Sequence, residues 1–143
     1  CASFNFSYAR DTSREAVDEN FRRAAGVFGT TSDAFVCSDQ THTTNIRRVE
    51  KEDAGKGVTK EKNYRDVDGL ITNVPGLILG TFYADCVPLL FVDPVHHAIG
   101  CSHSGWRGTV GEMGKKTVEA MREAKPSGGY FCGDWAVDLS GLL

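Results

Sequence analysis

The sequence predicts a mixed α/β fold, and three observations carry that prediction. Two stretches of helical period, residues 13–25 and 109–124, bracket the chain's middle; short apolar runs lie between them; and two of those runs, Val87 to Val92 and Ala98 to Cys101, are joined across the turn signal Asp93-Pro94. With 143 residues, 41% of them hydrophobic, the chain is long enough to bury a real core, and residues 1–143 read as one domain.

Taken in order, the first helix is expected over 13–25. Thr12-x-x-Glu15 has capping-box spacing, Val17, Phe21, Ala24 and Ala25 recur on one face, and Gly26 is the expected stop. Ala34-Phe35-Val36 is a short apolar run that gives way to the polar, turn-like Cys37-Ser-Asp-Gln-Thr-His42. Arg47 to Arg65 is highly charged and broken by Gly55 and Gly57, so it reads as an exposed, mobile loop or irregular hairpin. Tyr64 within it is either solvated or placed to close over a planar ligand. Asp66 to Thr72 returns to strand character, and the runs 87–92 and 98–101 make a hairpin whose first strand reads as buried. In the last helix Val110, Met113, Thr117, Ala120, Met121 and Ala124 face inward, with Trp106 before it read as core.

The chemistry gathers at the strand ends. Cys86 directly precedes the first strand of the hairpin and His103 directly follows the second, so pairing brings both to one sheet edge. A thiol beside an imidazole is a buried structural cysteine, a nucleophile with its base, or part of a metal site. His42 is the candidate third ligand because it too follows an apolar run, whereas His96 and His97 read as solvated residues of the turn at the opposite end. Two imidazoles and one thiolate leave a fourth tetrahedral position open, the arrangement of a catalytic zinc. Arg107, in the Gly105-Trp-Arg-Gly108 loop that enters the last helix, adds a cationic fork suited to phosphate or carboxylate.

Composition narrows the partners. A formal charge of −3 gives no basic footprint for nucleic acid. No stretch approaches the ~18 apolar residues of a membrane helix. Five cysteines, an odd number with no close pair, argue against a disulfide scaffold and for a reducing, cytoplasmic setting.

Gln40-Thr-His42, Asp68-Gly-Leu-Ile-Thr72, Ala84-Asp-Cys86-Val-Pro88 and His103-Ser-Gly-Trp-Arg-Gly108, in that order, resemble the laccase-domain family, also called YfiH-like or multicopper polyphenol oxidase-like. The resemblance runs from Phe4 to Ala124. It implies an α/β layered fold, a mixed β-sheet core with flanking helices, similar to that of deamidating toxins and their cysteine hydrolase relatives. It implies zinc on His42, Cys86 and His103, catalytic roles for Cys86, His103 and Arg107, and substrate contacts from Asn5, Asn20, Asp68 and Arg107. Asp68 is equally suited to orienting a ligand histidine, and Asn20 to the wet face of its helix. The implied activity is phosphorolysis of adenosine, inosine, guanosine or methylthioadenosine together with adenosine deamination, the partners being nucleoside and phosphate, in a monomer or weak homodimer.

Alternatives stay open: a peptidoglycan-precursor amidase using the same metal, a metal-free Cys86-His103 hydrolase, and a binding module without turnover. Copper oxidation of phenols is disfavoured because the chain has four histidines and no His-x-His pair. Departures from the family pattern are Phe21 after Glu19-Asn20, where the family has Arg, an opening at Cys1 without Met, and loss of the pattern after Ala124. They lead to the expectation that native segments are missing at both ends and around 124–133, and that Trp135 to Leu139 begins a later strand and helix.

Overall fold

The computed structural model describes residues 5–8 and 13–124. The Thr12 cap, Cys1, Cys132, the expected gap after Ala124 and the strand from Trp135 lie outside the described residues.

Helix α1 spans Arg14–Val27, and its N-cap is Ser13, whose side chain accepts from the Ala16 N–H. Gly26 lies inside the helix instead of ending it. The stop is Gly29, at φ +66°, where Gly29 N–H donates to the Gly26 carbonyl and Thr30 N–H to the Ala25 carbonyl. Those two bonds satisfy carbonyls that the helix end orphans, and only a residue at ease with positive φ closes them without strain. The inner face of α1 buries Val17, Phe21 and Ala25 against Phe35, Cys37 and Val58, with Phe21 and Phe35 meeting edge to face at 5.3 Å.

Among the described residues, six strands form two sheets. β1 (Phe35–Cys37) and β4 (Ile78–Gly80) pair in parallel beneath α1, while β2 (Ile46–Arg48), β3 (Gly69–Thr72), β5 (Val87–Asp93) and β6 (Ala98–Ser104) form a mixed sheet of order β2-β3-β6-β5. β2 runs parallel to β3, and β6 is antiparallel to both β3 and β5. β2, β3 and β5 therefore start at the edge where β6 ends. The expected hairpin is present, but β5 is an edge strand: Leu90 and Val92 are 50% and 56% exposed while Phe91 is buried. Its continuous apolar run reflects a half-covered face, not burial on both sides.

Residues 47–65 are irregular yet packed, contrary to the expectation of a solvated mobile loop. Val49, Val58 and Tyr64 are buried, and Tyr64 donates its hydroxyl proton to the Cys37 carbonyl at 2.6 Å, which makes it a core strut and not a cover for ligand. The charges that looked solvent-directed converge instead on buried Asp53, which accepts from Lys56 Nζ at 2.6 Å, Glu50 N–H at 2.9 Å and Arg47 Nη2 at 3.1 Å. Burial works to raise the Asp53 carboxyl's pKa, and these donors outweigh it and hold it below the usual carboxylate range.

The last helix is broken. α2 (Trp106–Val110) and α3 (Met113–Glu123) meet at Glu112, whose φ of +59° interrupts the helical path. Met113, Thr117 and Met121 point inward as expected, but Val110 and Trp106 are 78% and 73% exposed because α2 is turned away from the stripe that α3 presents. Ser102 and Thr117 hydroxyls join at 2.8 Å beneath the helix.

Two predictions follow from packing and charge. Leu70→Ala, at a fully buried position of β3, is expected to lower unfolding free energy by ~2–5 kcal/mol in urea titration, and Leu90→Ala on the open face by less than ~0.5 kcal/mol. A carboxyl depressed in the fold contributes stability above its unfolded pKa and loses it as pH falls through the folded value. Asp53→Asn should thus flatten the acid limb of stability below about pH 5, measured as thermal midpoint against pH.

Candidate metal centre

The site grows out of the sheet ladder. The β3–β6 register, Gly69 opposite Ser102, continues one step further as the His103 N–H donates to the Asp68 carbonyl at 2.7 Å. This step sets the two side chains side by side, with His103 Nδ1 and Asp68 Oδ1 2.9 Å apart. Both are buried, His103 at 4% exposure and Asp68 at 0%. The Nδ1 proton points at the carboxylate and leaves Nε2 with its lone pair free.

The same carboxylate collects the loop that carries His42. Three successive backbone N–H groups, of Thr41, His42 and Thr43, donate to it at 3.2, 3.1 and 2.8 Å, and the Thr43 hydroxyl adds a fourth bond at 2.8 Å. Bending three N–H groups around one anion forces an unusual backbone. His42 stands at φ +65°, a conformation few residues with a Cβ adopt. Burial raises the Asp68 carboxyl's pKa, but the donors from Thr43, His103 and Thr41 prevail and hold it below the usual range.

Cys86 arrives along β5, one residue before Val87, which pairs with Ser104. Its Sγ is 4.0 Å from His42 Nε2, and the His42 and His103 rings meet edge to face at 4.9 Å. One ligand atom from each of His42, Cys86 and His103 lies within 4.8 Å of the others. Gly105 keeps this space open, since a Cβ there would stand 3.0 Å from the His42 ring and 3.1 Å from Cys86 Sγ. Thiolate and imidazole donors, one imidazole already fixed by a carboxylate, fit a transition metal ion.

Beside the cluster opens a cleft of ≈ 830 Å³. Phe6, Tyr8, Phe82 and Tyr83 give it aromatic walls, Lys62 its cation, and Ser38, Asp39 and Thr81 polar edges. The Tyr83 ring lies 5.7 Å from that of His103.

Residues 1–129 match the family described as multi-copper polyphenol oxidoreductase laccase. The chain belongs to this laccase family. Among its relatives, the purine nucleoside phosphorylase YlmD of Bacillus subtilis is 37% identical over 112 residues, 78% of this chain and 40% of that protein. Adenosine deaminase RL5, from an unknown prokaryotic organism, is 32% identical over 115 residues, covering 80% of this chain and 44% of its own length. The crystal structure of the hypothetical protein YfiH of Bacillus licheniformis superposes with a TM-score of 0.78 at 31% identity, covering 86% of this chain and 47% of that one. The chain thus spans less than half the length of these relatives.

Within the laccase family frame, the residues singled out by sequence take distinct places. His42, Cys86 and His103 converge. Asp68 is absent from the cleft lining: it is fully buried, with its carboxylate bonded to the His42 loop and to His103. Asn20 is also buried, off the wet face of α1, and donates to the Asn5 carbonyl at 2.8 Å. Asn5 lines the cleft, with its side chain folded onto Ser7, whose N–H it accepts at 2.9 Å. Arg107 is exposed on α2, its guanidinium 5.3 Å from the centre of the Trp106 ring. His96 is not a free turn residue: its Nδ1 lies 2.7 Å from Asp93 Oδ2 at the far end of the hairpin. Thr43 and Gly105 escaped the sequence reading of function. Each acts through a neighbour brought close by folding, and the fixed spacing of Gln40-Thr-His42 was the one visible hint.

Replacing Asp68 by Asn removes the charge that three N–H groups and His103 converge on. Affinity for a transition metal ion, measured by chelator competition, is expected to fall about 10–100-fold.

Proposed function

We propose that this chain carries the zinc site of a purine nucleoside enzyme, which cleaves the nucleoside's glycosidic bond with phosphate and deaminates adenosine. The observation that carries the reading is the convergence of His42, Cys86 and His103 within 4.8 Å beside a cleft walled by aromatic rings. The phosphorylase and deaminase names of relatives that share these strands support it.

Zinc is preferred to copper on the donor set and on its isolation. Among the described residues this is the one cluster of His, Cys, Asp or Glu that could hold a metal. His96 is tied to Asp93 at the opposite end of the hairpin, so it cannot complete a second centre. Oxidation of phenols by several coppers needs more imidazoles than that. Bound by these residues, zinc supplies Lewis acidity and a lowered pKa for water.

The chain's own residues supply the rest. Asp68 holds His103 in the tautomer that presents Nε2. Cys86 must give up its proton to become a ligand, and its surroundings do not help: partial desolvation first, then the Asp85 and Asp68 charges, push the thiol up. A thiol raised in this way is a poor nucleophile on its own, and a cation held by the same residues would offset the effect. The aromatic lining of the cleft, Phe82 and Tyr83 nearest the cluster, suits a planar purine. Lys62 is the cation of the cleft lining and is paired with Asp39 at 2.5 Å, so phosphate would have to compete with that carboxylate for it. Among the described residues no helix is long and apolar enough to cross a membrane, and Cys37, Cys86 and Cys101 are free thiols. A reducing cytoplasm is part of the same proposal.

The test is metal content by mass spectrometry, with adenosine turnover followed chromatographically in the presence and absence of phosphate. About one zinc per chain is expected, with adenine formed only when phosphate is present and inosine in either case; Cys86→Ser should lose zinc and both products together. Zinc without purine products would shift the assignment to amide hydrolysis, and turnover without metal to the Cys86-His103 dyad.

A further inference from the structure

Gln40 belongs to none of the roles assigned so far, yet it joins the two loops that carry His42 and Cys86. Its amide makes a two-way bond with the backbone of one residue: Phe82 N–H donates to Gln40 Oε1 at 2.8 Å, and Gln40 Nε2 donates to the Phe82 carbonyl at 2.6 Å. The Ser38 hydroxyl donates to the same Oε1 at 2.8 Å. With two donors on one atom and an acceptor facing the other, only one orientation of the amide is consistent.

The position explains the need. β1 and β4 pair in parallel up to Cys37 and Gly80, and the Ser38 N–H donates to the Gly80 carbonyl as the last backbone bond. Beyond it the main chains diverge: Asp39 turns to pair with Val67, and His42 takes its left-handed conformation. The Gln40 side chain fills the place a strand's peptide group would have held, and extends the ladder by one rung to Phe82. Four residues further along that loop is Cys86. Tyr83 provides the loop's other tie, its hydroxyl donating to the Ser102 carbonyl at 3.2 Å.

We propose that Gln40 is a positioning residue that sets Cys86 Sγ against His42 by clamping the 81–86 loop to the 38–42 loop. Asp68 fixes His42 and His103 to each other and has no bond to the Cys86 loop. Gln40 supplies the missing constraint, and it also holds the backbone of Phe82, whose ring walls the cleft. The proposal rests on the metal reading of His42, Cys86 and His103.

The experiment compares the unaltered chain, Gln40→Leu, and Thr72→Val, whose lost hydroxyl bond to the Val49 carbonyl at 2.8 Å is a destabilising control. Hydrogen exchange on the metal-free proteins reads the clamp directly: amides of 81–86 should exchange about tenfold faster in Gln40→Leu. Titration with cobalt(II) reads its consequence. Affinity should fall about 10–100-fold in Gln40→Leu, with the thiolate charge-transfer band weakened relative to the ligand-field bands. Thr72→Val should move neither, whatever it costs in thermal stability. Cobalt bound by Gln40→Leu with an unchanged thiolate band and affinity overturns this proposal alone. An unaltered chain that takes up no cobalt overturns the metal reading and this proposal with it.

Discussion

The Asp68 carboxylate is the anion around which the site is assembled. It sits at the start of β3 with no exposure to water, and every donor it needs comes from another part of the chain: three backbone N–H groups and a hydroxyl from 41–43, and an imidazole from the end of β6. An unpaired buried carboxylate is among the costliest groups a protein can hold. The fold is therefore constrained to bring the His42 loop and His103 to it together. Two candidate ligands are positioned by satisfying one charge, and the unfavourable φ of His42 is offset by the bonds that hold it.

That constraint works because of topology. The parallel start of β2 beside β3, and the antiparallel return of β6 between β3 and β5, deliver His42, Asp68, Cys86 and His103 to one edge of one sheet. α3 packs on the sheet with Met113, Thr117 and Met121, and reaches the His42 loop through Lys116, which donates to the Thr44 hydroxyl at 2.8 Å. Gly111, at the helix break, lies so close to Thr44 that a Cβ would come within 2.7 Å of its methyl group. The broken helix and the ligand loop are thus fitted to each other.

The opposite side of β5 is plainer. Leu90, Val92 and Val95 are exposed, as are Trp106 and Val110 on α2. The chain spans less than half the length of the relatives it matches.

The sequence alone determined whatever depends on residues close together in the chain. The hairpin of β5 and β6 was legible because an apolar run, a turn and a second apolar run are local signals, and with the hairpin came the meeting of Cys86 and His103. The pairing of His42 with them was suggested by its place after an apolar run and by the motifs. Tertiary structure alone decided the roles of residues whose partners lie far away in sequence. Asp53 turned a charged segment into a packed one by gathering Lys56 and Arg47, which charge patterning cannot distinguish from a solvated surface. Asn20 and Asp68 carry polar side chains that read as ligand contacts, but both are buried, Asn20 donating to the Asn5 carbonyl and Asp68 accepting from the 41–43 loop and His103. Gly29 and Glu112 set helix ends that Gly26 and an unbroken apolar stripe did not foretell, because a backbone conformation is chosen by what closes around it. Gln40 is the clearest instance: a side chain acts as a strand's peptide unit only where two backbones have already parted, and that divergence exists in three dimensions alone.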